Sequence, residues 1–174
     1  MTVDYRGATP EDAEAIAKLF ISTFTDTFGH LYKPDDLASF VENVTPERFR
    51  NEIGDDRFEF MLATEGDQLA GFVKLGPPEL PVETPPDTIE LCQLYVRKEW
   101  HGTGVAAGLM QRALAAAEGR GARHMQLSVY VDNHRARRFY ERYGFEAVGR
   151  YDFMVGNHAD DDLVLRHVIL RADS

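Results

Sequence analysis

The sequence predicts a mixed α/β layer in which central strands are wrapped by helices. Three observations lead there. Residues Met125–Val131 alternate with period two, Met125, Leu127, Val129 and Val131 facing inward and Gln126, Ser128 and Tyr130 outward. Ala13, Ile16, Ala17, Phe20 and Phe24 recur at helical spacing, and Ala106, Leu109, Met110, Ala113, Leu114 and Ala117 do the same. The apolar runs 58–64 and 68–75 flank Glu65-Gly66-Asp67, a good hairpin turn.

In chain order, Val3–Gly7 reads as a short opening strand. Thr9 then offers an N-cap, Pro10 fits the first helical position, and Glu11 and Asp12 complement the positive end of the helix dipole. Pro34 and Pro46 each open a further short helix, because a proline at the first position loses no helical hydrogen bond. Residues 76–87 hold five of the eight prolines and form a stiff surface loop, too short and too central to divide domains. Strand 88–97, a glycine loop and a long helix ended by Gly119 and Gly121 follow. Asn133 caps a helix in which Ala136, Phe139, Tyr140 and Tyr143 share a face, and Gly144 stops it. Strands over 145–153 and 162–170 finish a single domain spanning residues 1–174.

With 174 residues the chain is long enough for one sizeable core. Its 29 acidic and 19 basic residues give a net charge of −10. That is the wrong sign for a nucleic-acid or anionic-membrane footprint and suits cationic partners. Cys92 is the only cysteine, which rules out an intramolecular disulfide and a cysteine-rich metal site. The six histidines show no ligand spacing, so no metal is expected. The opening Met-Thr-Val-Asp-Tyr-Arg has no apolar segment, and no run approaches the length of a membrane span; the chain reads as cytoplasmic.

The most informative stretch is Val96-Arg97-Lys98-Glu99-Trp100-His101-Gly102-Thr103-Gly104-Val105-Ala106, between a strand and a helix. Gly102 and Gly104 carry no Cβ, so successive N–H groups can turn toward an anion. The first-turn donors and the dipole of the helix reinforce them. Alone, the loop fits several phosphate compounds or a plain tight turn. The residue three after Gly104 is Ala107, so the third glycine of a dinucleotide-binding fingerprint is missing, as is the Gly-Lys-Ser/Thr of an NTPase loop.

The pattern His101-x-x-Gly104-x-Ala106, followed by Asn133-x-x-Ala136-x-x-Phe139-Tyr140-x-x-x-Gly144-Phe145, resembles the GNAT superfamily of acetyl-CoA-dependent N-acetyltransferases. The matching segment runs from Glu90 to Phe145. His101 departs from the pattern, since the family usually has Gln or Arg there; histidine can still donate to phosphate. The resemblance implies a GNAT-type α+β fold: a mixed, mostly antiparallel central sheet with a splayed parallel strand pair and helices on both faces. It also implies acetyl-CoA as cosubstrate, with pantetheine pairing along Leu94, Tyr95 and Val96. The pyrophosphate would rest on His101, Gly102, Thr103, Gly104, Val105 and Ala106.

Asn133 matches the family position that contacts the pantetheine arm, and it is equally a plain N-cap. Tyr140 matches the family's general acid, which protonates the departing CoA thiolate; a phenol, reference pKa ~10, is close enough to a thiol to serve. Core packing is the alternative for Tyr140, which shares the apolar stripe. Glu90 is the candidate base for the attacking ammonium, placed by period-two alternation on a face with Cys92, Leu94 and Val96. A surface or ion-paired glutamate is the alternative, and Cys92 reads as packing.

The acceptor is less legible. Ser22-Thr23-Phe24-Thr25-Asp26-Thr27-Phe28, Asp152-Phe153-Met154-Val155-Gly156 and Asp162-Leu163 look like bacterial spermidine/spermine N-acetyltransferases, a looser likeness. It implies a polyamine or similar small primary amine. Asp26, Asp152 and Asp160 to Asp162 would hold ammonium groups while Phe24, Phe28, Tyr32 and Phe153 cover the methylenes. Phenylalanines on a helix are equally at home in a core, and an aspartate run in a solvated loop. Two rival readings stand beside this one: a protein or peptide N-acetyltransferase, and an acyl-CoA-binding sensor without turnover. A loop 76–87 folded over the acceptor cleft favours a small molecule; an open groove favours a peptide. No nucleic-acid or membrane partner is expected, and a homodimer is left open.

Overall fold

Alternating strands and amphipathic helices assemble around one seven-stranded sheet in the computed structural model, which describes residues 2–169. The strands are β1 (Asp4–Gly7), β2 (Glu59–Glu65), β3 (Gln68–Gly76), β4 (Thr88–Val96), β5 (His124–Tyr130), β6 (Glu146–Val155) and β7 (His158–Val168). They lie in the order β1-β2-β3-β4-β5-β7-β6, each neighbouring pair antiparallel except β4 and β5. The helices are α1 (Ala13–Phe28), α2 (Pro34–Glu42), α3 (Pro46–Ile53), α4 (Val105–Gly119) and α5 (His134–Arg142). This is the mostly antiparallel sheet with one parallel pair that the family resemblance implies.

Each face of the sheet has its own core. On one, Val73, Leu75, Leu91, Leu127 and Leu165 cluster with Leu109, Met110 and Ala113 of α4 and Tyr140 of α5. On the other, Phe60, Leu62 and Phe72 cluster with Ile16, Leu19, Phe20 and Phe24 of α1 and Phe49 of α3. Fully burying one such aromatic or aliphatic side chain contributes ~1.5–3 kcal/mol. The stripe on α1 therefore binds that helix to the sheet and fixes where Phe24 and Phe28 stand.

Four local expectations change. Thr9 precedes a single 3-10 turn, Pro10–Asp12, and α1 begins only at Ala13. Gln126 does not face solvent; it is 0% exposed, because the second face of β5 is also covered. The last strand begins at His158 rather than at 162, so Asp160, Asp161 and Asp162 lie in β7 and not in a loop. Its predicted end, residue 170, lies outside the described residues. Finally, β4 carries a bulge: Gln93 pairs with Lys74 and Leu91 with Leu75, leaving Cys92 as the extra residue. Ile89, Leu91, Leu94 and Val96 consequently share the face under α4, while Tyr95 joins the opposite core. Glu90 is thus not on a face with Leu94 and Val96.

Candidate active site

The parallel pair β4–β5 is joined only at Thr88–His124, Ile89–Met125 and Glu90–Gln126. The bulge at Cys92 follows directly, and a bulge bends its strand and increases its twist. Beyond it the two strands part, and a cavity of about 310 Å³ occupies the gap. Leu91 to Val96 form one wall and Ser128, Val129 and Tyr130 the other. Where β4 leaves β5, it no longer pairs with that strand, which leaves backbone groups on that side for an extended ligand, apart from the Val96 carbonyl that His101 engages.

The cavity opens at the glycine loop, where His101 and Ala106 border it. Gly102 and Gly104 sit at φ 77° and 90°, the left-handed region that favours glycine, and a Cβ at either would meet nothing within 4 Å. The space in front of them is open. Gly104 is the N-cap of α4, so the first-turn N–H groups of Val105, Ala106 and Ala107 face the same mouth. Val105 contributes backbone only, since its side chain is buried in the core. Thr103 is exposed and its hydroxyl donates to the Trp100 carbonyl.

His101 behaves differently from expectation. Arg135 donates to its Nδ1 at 2.6 Å, which leaves Nε2–H to donate to the Val96 carbonyl at 2.9 Å. Both ring nitrogens are engaged, and the free charge at the mouth belongs to Arg135, a cavity-lining residue that the sequence reading did not single out. The signal was present in the four arginines of α5, at 135, 137, 138 and 142. Asn133 lines the cavity and caps α5 by accepting from the Ala136 N–H at 3.3 Å.

Tyr140 reaches the cavity from α5, 9% exposed, its ring edge-on to Phe139 and Phe145 at 5.4 and 5.7 Å between centroids. Burial alone pushes its phenol above the ordinary value. The Tyr95 phenol, also raised by burial, lies within electrostatic reach of both Tyr140 and Asp162.

At the far end Phe24, Phe28, Tyr32 and Phe153 surround Asp160 and Asp162, which are 5% and 6% exposed. Tyr32 donates its hydroxyl to one oxygen of Asp160, and His158 stands 3.1 Å from the other. Asp162 has no such clasp. Burial first, then the charge of Asp160, push its carboxyl up to about 7, while a hydrogen bond from Ser128 opposes the shift.

Four predicted site residues do not join this constellation, Asp161 among them, exposed on β7 and paired with Arg150. Asp26 is exposed on α1 and Asp152 exposed on β6, opposite Asp161 on the outer face. Glu90 is buried, but one carboxylate oxygen accepts the backbone N–H groups of Glu79 and Leu80 at 3.0 and 3.1 Å. It ties down the proline-rich loop instead of lining the cavity. Arg166 holds the same loop through the Glu83 carbonyl, at 2.7 Å. Cys92 lies on the wall with its thiol pushed up to about 12 by burial, so it is inert packing. Among the described residues no group of three or more His, Cys, Asp or Glu is placed to hold a metal, and no helix is long and apolar enough to cross a membrane.

A parallel pair that parts after three residues, an open glycine loop at a helix start and a buried phenol meet at one cavity. The model of the Acetyltransferase (GNAT) family matches residues 14–145, and the chain belongs to that family. It is an acetyl-CoA-dependent N-acetyltransferase. An uncharacterised N-acetyltransferase of Mycobacterium tuberculosis is 33% identical over 155 residues, covering 88% of this chain and 96% of that one. Another, from Lactobacillus delbrueckii subsp. lactis, is 26% identical over 151 residues, covering 85% and 87%. The fold is similar to the PaiA N-acetyltransferase of Thermoplasma acidophilum in complex with coenzyme A, at TM-score 0.78, 21% identity and 97% and 99% coverage. It is also similar to Arabidopsis thaliana NAA60 in complex with a bisubstrate analogue, at TM-score 0.74, 18% identity and 96% and 98% coverage.

Proposed function

We propose that the enzyme moves acetyl directly to a primary amine of a small molecule that carries a further cationic group, of the polyamine kind. The observation that carries this reading is the buried pair Asp160 and Asp162 at the end of the cavity remote from the glycine loop. Among the described residues their ion pair is to His158 alone. Buried carboxylates short of cations are costly unless a cation comes to them, and the surrounding phenyl faces favour an alkylammonium. Loop 76–87 is anchored by Glu90 and Arg166 away from the cavity wall, so the choice of a small amine over a peptide rests on the aspartate pair and its aromatic surround.

In this reading the backbone of Gly102, Thr103, Gly104, Val105 and Ala106 holds the pyrophosphate of acetyl-CoA, and His101 aims Arg135 at it. The segment Leu94, Tyr95 and Val96 lies along pantetheine, the Val96 carbonyl being already taken by His101, and Asn133 adds a contact beyond its capping role. The thioester supplies an activated acetyl group. Tyr140 donates its proton to the sulfur as the C–S bond breaks, while Phe24, Phe28 and Tyr32 cover the acceptor's methylenes and Asp160 draws its remote cation.

A thiol-release assay over spermidine, spermine, simple alkylamines, amino acids and peptides tests the proposal. Amines with a second cation should exceed chain-matched monoamines in kcat/KM by about tenfold or more, the worth of one ~1.4 kcal/mol charge or cation–π contact. Thiol release confined to peptides would overturn it.

A further inference from the structure

Two buried carboxylates sit side by side in the acceptor pocket, and their surroundings differ. Asp160 and Asp162 are two apart on β7, so both point to the same face of the sheet, about 6–7 Å apart along the strand. Asp160 is spoken for: Tyr32 donates to one oxygen and His158 stands against the other. Asp162 is flanked by uncharged side chains. Tyr130 of β5 and Tyr151 of β6 are its cross-strand partners. Ser128 bonds it, and the Tyr95 and Tyr32 phenols lie within electrostatic reach. The charged groups facing it are Asp160 and, from the outer side of the same strand, Asp161. Asp161 itself is paired with Arg150 at 2.5 Å.

The two aspartates also stand at different depths. Asp162 is opposite Tyr130, the last residue of β5 and part of the cavity wall with Ser128 and Val129, whereas Asp160 lies beyond the end of β5 and is held by Tyr32. Along β7, Asp162 is therefore level with the β5 wall of the cavity and Asp160 lies past it, at Tyr32. Asp162 is the carboxylate on the side of the reacting atoms, and Asp160 the one beyond.

We propose that Asp162 is the general base of the transfer, taking the proton from the acceptor's ammonium before its nitrogen attacks the thioester. The inference rests on the small-amine reading above. The ammonium gives one proton to the Asp162 carboxylate, and the freed nitrogen lone pair forms the C–N bond as the C–S bond breaks. The thiolate takes the Tyr140 proton, and the second proton lost by nitrogen returns Tyr140 to its phenol. The proton on Asp162 leaves to solvent, which balances an ammonium and a thioester against an amide, a thiol and one proton. A base works best when it titrates close to the working pH, and burial beside Asp160 brings Asp162 to about 7. The pairing of one clasped and one adjustable carboxylate gives the two aspartates separate tasks.

The test compares Asp162→Asn and Asp160→Asn with the wild-type protein, using the best acceptor in the amine panel and reading kcat/KM against pH. Wild-type kcat/KM should rise with pH through about 7 as Asp162 ionises. Asp162→Asn should lose this limb and roughly 10²–10⁴-fold in kcat, with acetyl-CoA affinity by calorimetry unchanged as the check on folding. Asp160→Asn should keep the limb but move it to lower pH, since a like charge is removed, and should raise the acceptor KM. An Asp162→Asn enzyme that binds acetyl-CoA normally and keeps the limb overturns the proposal. No turnover of any small amine by the wild-type protein would instead sink the acceptor reading, so the two failures are told apart.

Discussion

Tyr140→Phe removes one oxygen from the centre of the cavity and little else. The ring contacts with Phe139 and Phe145 do not involve the hydroxyl, so the core that seats α5 is retained. Stability should stay within ~0.5 kcal/mol of the wild type. Catalysis should not. General acid catalysis by a positioned side chain contributes ~10²–10⁴-fold, or ~2.7–5.5 kcal/mol of barrier. Burial raises the Tyr140 phenol further above a thiol, which keeps the proton on at any working pH but weakens its transfer. That places the expected loss nearer ~10²-fold than the upper end. Because the interaction exists only as sulfur departs, kcat and kcat/KM should fall together with the acetyl-CoA KM unchanged. The assay is thiol release at saturating acetyl-CoA, with coenzyme A calorimetry alongside. A rate within a factor of two of wild type refutes the acid role, and a raised KM with unchanged kcat makes Tyr140 a wall of the site.

Gly104→Val should abolish coenzyme A binding, because φ 90° strains any β-branched residue and the added atoms fill the open space before the loop; unchanged affinity by calorimetry counts against the cradle. Gly156→Ala should destabilise by ~1–3 kcal/mol, since its Cβ would lie 2.6 Å from the Asp36 Cα and drive α2 off the β6–β7 turn; denaturant unfolding measures it, and an unchanged midpoint argues otherwise. Glu90→Ala should speed proteolytic cleavage within 77–87 by releasing two backbone hydrogen bonds, yet leave the low-pH limb of the rate profile; a lost limb would return Glu90 to the chemistry. Asp162 is raised on folding, so the native state binds its proton more tightly than the unfolded chain. Stability should therefore fall as pH rises from about 4 to about 7, and Asp162→Asn should flatten that slope in chemical denaturation.

The fold and the donor side of the site were legible because they rest on local signals. Glycine at 102 and 104, asparagine at a helix start and tyrosine seven residues later each declare a backbone or capping requirement within a few positions. The acceptor side depends on long-range pairing. Asp160 and Asp162 became neighbours of Tyr32 only through a strand that begins four residues earlier than its apolar run suggests. The signal for that start was Gly156-Asn157, a two-residue turn at φ 58° for Gly156, which joins β6 to β7. Asp26 and Asp152 were grouped with them by composition, but α1 and β6 turn both outward. Glu90 was misplaced for a different reason: alternation was extended across Cys92, and nothing local in Leu91-Cys92-Gln93 announces an extra residue.

Cys92 sets the phase of everything after it. With the extra residue present, Tyr95 pairs with Phe72 at 6.1 Å on one side of the sheet, and Leu94 and Val96 pack with the α4 core on the other. Removing one residue between Leu91 and Gln93 would invert that order over the segment that parts from β5. Tyr95 would be driven to the α4 side, and two aliphatic side chains would take its place beside Phe20 and Phe72. What the position fixes is the length of the strand. A relative that lacks the extra residue must carry its aromatic one place along the strand to build the same wall.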